Sequence, residues 1–167
     1  METGPTVTHP NRDKPESQSA RMAVLALLVI SILLMAIILF GGWSVLEGQV
    51  AVSFAYILIY AVLAWRVSGW ARGPLAVGSA LAMILAIFCA IAAPTWADRE
   101  GSGYSAAESV FGTAGLSAGL LGIFTMLLAV VQIVLIAACL RAFRQEWQVE
   151  LEVAEPSSEQ LPMPGAA

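Results

Sequence analysis

Residues 22–40 read MAVLALLVISILLMAIILF, an apolar run broken only by Ser31 and closed by Gly41, Gly42 and Trp43. A helix rises about 1.5 Å per residue, so about 20 apolar residues cover a hydrocarbon core about 30 Å thick. The run is long enough to span a membrane. The tail before it carries Glu2, Asp13 and Glu16, unlike the short basic region of a signal peptide. The apolar stretch also exceeds the roughly 7–15 residues of such a peptide, and no small-x-small cleavage pattern follows it. An uncleaved first span over residues 22–42 is therefore expected.

Working outward, three further runs have the same character, at residues 47–66, 74–95 and 116–141, with an outer loop over residues 96–115. The second is the least apolar and carries Ser53, Tyr56 and Tyr60. Pro74 suits the first turn of a helix, where its missing N–H costs nothing, and Pro94 is expected to end the third span just before Trp96. In the outer loop, Ser105 and Glu108 have the spacing of a capping box. That pattern starts either a short helix leading into the fourth span or nothing more than a loop.

The composition agrees. Of 167 residues, 59% are hydrophobic and 12% charged, against about 25% charged in a soluble domain. A water-soluble fold of this length has no core large enough for so much apolar surface. The expected fold class is an all-α, four-helix transmembrane bundle with disordered cytoplasmic tails at residues 1–20 and 145–167 around a membrane domain at 21–144. Within the second tail, residues 141–153 read RAFRQEWQVELEV. Phe143, Trp147 and Leu151 fit a helix leaving the membrane, whereas Trp147, Val149, Leu151 and Val153 alternate as in a strand.

Charge orients the spans, because Lys and Arg collect on the cytoplasmic side of short loops. Arg12, Lys14, Arg21, Arg66, Arg72, Arg141 and Arg144 share one side, leaving only Arg99 of the eight basic residues on the other. Both termini are thus expected in the cytoplasm. All five tryptophans, Trp43, Trp65, Trp70, Trp96 and Trp147, fall at or just beyond span ends, where indole rings meet the interface.

Helices in lipid are held by close packing and hydrogen bonds. Gly78, Ala82, Ala86 and Ala90 recur every four residues in the third span, and Gly115, Gly119 and Gly122 lead the fourth. These are the expected packing positions. Tyr56 and Tyr60 lie one turn apart, and Gln132 should reach a depth similar to that of Tyr60. An intramembrane hydrogen bond from Gln132 to the second span follows, since an amide facing lipid has no partner. Cys89 and Cys139 belong near opposite ends of their spans, too far apart for a disulfide.

The layout, with its inner loop WRVSGWAR at residues 65–72 and exit RAFR at residues 141–144, resembles small four-span membrane proteins of actinobacteria. The resemblance implies a bacterial plasma-membrane protein and carries no functional residues with it.

The chemistry available is narrow. A zinc site needs about four converging ligands, and the sequence offers two cysteines in apolar runs and His9 in a tail. Asp98, Glu100, Tyr104 and Glu108 read as a solvated acidic loop without EF-hand spacing. No basic patch with interleaved aromatics suggests nucleic acid. No Asp, Glu, Lys, Arg or His lies within the apolar runs of the spans (residues 22–40, 50–65, 75–93 and 116–140), where proton-coupled carriers place such groups. No catalytic residue, cofactor or metal is expected. The expected function is that of a non-catalytic accessory, structural or regulatory subunit, with the lipid bilayer and either a membrane-protein partner or a second copy as its contacts. The alternative is an oligomeric channel or carrier for a small neutral solute.

Overall fold

The computed structural model describes residues 6–46, 48–101, 104 and 107–153. Four helices dominate: α1 (Pro15–Gly41), α2 (Val50–Ser68), α3 (Gly73–Gly101) and α4 (Ala118–Phe143). All four are long and apolar enough to cross a membrane, with mean hydropathies of 3.2, 1.9, 2.5 and 2.8 over an 18-residue stretch of each. The chain is a multi-pass membrane protein whose membrane region is all-helical. Its lipid-facing girdle is rich in exposed large side chains such as Leu33, Leu58, Ile91 and Ile133. In water such a surface would drive aggregation; in lipid it costs nothing.

The helices are not packed evenly. α3 runs along α4 through most of its length, α1 packs on both α4 and α2, and α2 touches α3 only sparsely. A seam therefore stays open between α2 and α3. The main core gathers Leu28 of α1, Leu63 of α2, Ala82 of α3 and Leu135 of α4. A second, smaller cluster of Leu39, Leu46, Trp96, Ala107 and Leu121 closes the end that carries the α1–α2 and α3–α4 connections, here termed the loop end.

Two helix boundaries differ from the sequence expectation. α1 starts at Pro15, which occupies its first turn, so the helix reaches well beyond the apolar run. α3 does not stop at Pro94 but carries it internally and continues to Gly101. Proline breaks helices in water because it deletes one bond and crowds the preceding turn. In a membrane bundle neighbouring helices tolerate that local defect.

The α3–α4 connection folds back on the end of α1. The Val110 amide donates to the Phe40 carbonyl (3.1 Å), the Leu116 amide to that of Gly41 (2.8 Å) and the Ser44 amide to that of Glu108 (3.2 Å). Ser105 and Ala106 of the proposed capping box lie outside the described residues. Its Glu108 bridges Ala114 in an antiparallel pair, and α4 begins only at Ala118, capped by the Ser117 side chain. Gly115 sits where the connection presses on α1: a Cβ there would collide with the Gly41 carbonyl oxygen and lie 2.7 Å from that of Ala107.

At the opposite, terminal end the two tails meet. Strand β1 (Thr6–Thr8) pairs antiparallel with β2 (Leu151–Val153), Val7 opposite Glu152. The first segment was expected to be disordered and the second was left open between helix and strand; the ribbon and the turn before it tie both to the bundle. α4 ends at Phe143, and Glu146, with φ 50°, turns the chain into the alternating pattern rather than a further helical turn.

Candidate functional site

Three polar features are candidates: a relay in the membrane interior, a cap at the terminal end and a cleft at the loop end.

The relay joins three helices. The Tyr60 hydroxyl of α2 donates to Gln132 Oε1 of α4 at 2.8 Å. Gln132 Nε2 donates in turn to Ser31 Oγ of α1 at 2.9 Å, and that hydroxyl donates to the Leu27 carbonyl at 2.7 Å. All three side chains have zero exposure. The structure thus brings Tyr60 and Gln132 together, whereas Tyr56 joins only by its ring, packed edge-on against Tyr60 with centroids 5.8 Å apart. Sequence reasoning missed the role of Ser31, although the one hydroxyl in an otherwise apolar run was a usable signal.

Around this relay the small residues fall into different places. Gly78 faces Cys139 Sγ and Leu63, each 3.7 Å from where its Cβ would be, and Ala82 is fully buried. Ala86 is half-buried and Ala90 exposed. The buried line of α3 runs instead through Leu75, Ala82, Cys89, Ala93 and Trp96. Gly122 meets Trp96, with 3.1 Å from its would-be Cβ to the tryptophan Cβ. Gly115 and Gly119 do not form a motif on one helix, since Gly115 precedes α4. Gly119 is half-buried in the first turn. Cys139 lies beside Gly78, and Cys89 is eleven residues further along α3, about 16 Å away at helical rise. Both thiols are free and buried.

The cap is built on tryptophan. Trp147 is fully buried and packs edge-on against Trp70, centroids 5.4 Å apart. Trp70 has φ 63°, a left-handed conformation unusual for a bulky residue, which turns its ring inward from the α2–α3 loop. Arg21 of α1 stacks over the Trp70 ring at 4.2 Å and donates to the Ser68 carbonyl at 3.0 Å. Arg12 Nε donates to the Trp147 carbonyl at 3.2 Å, and Arg72 Nε to that of Phe143 at 3.0 Å. The cap engages three basic residues whose sequence role was only to orient the chain. Of the five tryptophans, Trp65 faces outward at 71% exposure, while Trp96 and Trp147 are packed inside.

The cleft lies in the α2–α3 seam and has a volume of about 790 Å³. Its floor is Met35, Tyr56, Cys89, Thr125 and Leu128. Gln49, Asp98, Arg99 and Tyr104 form its mouth at the loop end, where the Arg99 guanidinium stands 4.9 Å over the Tyr104 ring. Val52, Phe88 and Ile91 belong to its wall and are also more than half exposed on the lipid-facing surface. The cleft therefore opens sideways between the helices as well as at its mouth.

Among the described residues, no three His, Cys, Asp or Glu side chains converge as metal ligands. Compared with protein-family models, curated proteins and solved structures, the chain gives no match.

Proposed function

We propose that this membrane protein is a non-catalytic accessory, structural or regulatory subunit of a bacterial plasma membrane, acting through helix contacts. Both termini lie in the cytoplasm in this reading, because seven of the eight basic residues then fall inside. The observation that carries it is the use of the interior polar groups. Tyr60, Gln132 and Ser31 are engaged with one another across three helices, and such a chain fastens a bundle rather than presenting groups to a substrate. The termini, folded together over the bundle, add a second fastening on the same principle. What is left for recognition is the outer surface and the unfilled α2–α3 seam.

The cleft favours a second reading, a carrier for a small neutral solute, with the relay one helical turn beyond the floor residues Met35, Tyr56 and Leu128. Crosslinking in host membranes, followed by gentle purification of the tagged full chain and mass spectrometry, separates the two. A stoichiometric membrane-protein partner supports the accessory reading. Recovery of the chain alone, together with solute flux in liposomes, supports the carrier.

A further inference from the structure

We infer that the α2–α3 cleft is a binding site for a zwitterionic phospholipid carrying a primary ammonium, with one acyl chain in the cleft and the headgroup at Asp98 and Arg99. The shape is the first argument. From Asp98 at the mouth to Leu85 in the wall, the cleft follows thirteen residues of α3, about 20 Å at helical rise. One leaflet of a hydrocarbon core about 30 Å thick is about 15 Å deep. The cleft thus runs from an interface through a single leaflet, and its sideways opening lets a lipid enter without leaving the bilayer.

The cleft holds about 790 Å³, within the ordinary range of small-molecule sites, and a flexible acyl chain fits such a space.

Polarity then chooses the headgroup. The walls are uncharged along the depth of the leaflet, with Ser53, Tyr56, Thr95 and Thr125 as their hydroxyl side chains, and charge appears only at the mouth. Arg99 is the only basic residue in residues 73–140, and its guanidinium is the group that bonds a phosphate with paired N–H donors. Asp98 beside it supplies the complement for an ammonium, and in the sequence Asp98 and Glu100 flank Arg99, two acidic residues to one basic. A purely anionic headgroup gains the arginine but faces the carboxylates; a zwitterion gains both. The inference is independent of whether the protein is an accessory subunit or a carrier.

The test is native mass spectrometry of the full chain, purified in detergent and offered phosphatidylethanolamine, phosphatidylglycerol or diacylglycerol with identical acyl chains. One phosphatidylethanolamine per chain should be retained, about tenfold more strongly than either other lipid, as one charge-assisted hydrogen bond implies. Arg99→Gln should erase the preference over diacylglycerol, and Asp98→Asn the preference over phosphatidylglycerol. Ala92→Phe, which fills the cleft, should abolish retention, while Ala137→Phe, on the exposed side of α4 toward the terminal end, should not. Equal retention of all three lipids, preference for phosphatidylglycerol, or full retention by a monodisperse Ala92→Phe variant would overturn the assignment. So would loss of retention in Ala137→Phe alone.

Discussion

Replacing Gln132 by leucine keeps most of its volume and removes both relay bonds, at 2.8 and 2.9 Å, from a site with zero exposure. Interhelical hydrogen bonds in membranes contribute about 0.6 kcal/mol on average and up to about 1.7. Two lost bonds therefore cost about 1–3 kcal/mol, and the Tyr60 hydroxyl, stranded among apolar side chains, pushes the value upward. Ser31 still donates to the Leu27 carbonyl, so that hydroxyl is not stranded. Tyr60→Phe removes one bond and leaves Gln132 Oε1 without its donor, at about 0.6–1.7 kcal/mol. The double variant strands neither partner of the Tyr60–Gln132 pair and should cost less than the sum by a similar coupling energy. Reversible unfolding in mixed micelles, with helicity followed by circular dichroism, gives all three values. Additivity within about 0.3–0.5 kcal/mol would show that the two residues are not coupled and would refute the relay.

The cap offers a cleaner contrast. Trp147→Ala removes a fully buried ring and should destabilise the cap by about 3–5 kcal/mol, seen as faster hydrogen exchange at the amides of Gln145 and Val149. Trp147→Phe keeps a ring against Trp70 and gives up the smaller part of the indole, whose N–H has no hydrogen-bond partner, so exchange there should rise much less than in Trp147→Ala. At the loop end, Gly115→Ala places a methyl against two backbone carbonyls and should cost about 1–3 kcal/mol in thermal unfolding. Gly69→Ala, at φ −84° just after α2, meets only the Arg66 carbonyl at 3.5 Å and should be neutral or stabilising by about 0.4–1 kcal/mol.

The four spans were legible because lipid demands long apolar runs, and a run such as residues 22–40 leaves no other reading. The small-residue stripe shows where simple spacing drifts. Each step of four residues turns a helix about 400°, a surplus of about 40°, so three steps carry Ala90 about 120° away from Gly78. The seam of α3 instead advances by threes, fours and sevens, from Leu75 through Ala82 and Cys89 to Trp96, and keeps its heading toward α4. Pro94 misled for a different reason: its breaking strength is a property of helices in water. The cap was illegible because Trp147 and Leu151 satisfy two periodicities at once, and only contact with Trp70 and Arg12 selects one. The cleft has no sequence signal, since it arises where α2 and α3 fail to meet.

The account rests on a capped bundle whose terminal end faces the cytoplasm, and single-cysteine labelling tests that most directly. Cys89 and Cys139 are buried and should stay silent toward a membrane-impermeant maleimide. Phe111→Cys, at an 85% exposed position of the loop end, should label in intact cells. Gln148→Cys, exposed beside the cap, should label only after permeabilisation. The reverse pattern, or labelling of both positions in intact cells, would contradict the orientation.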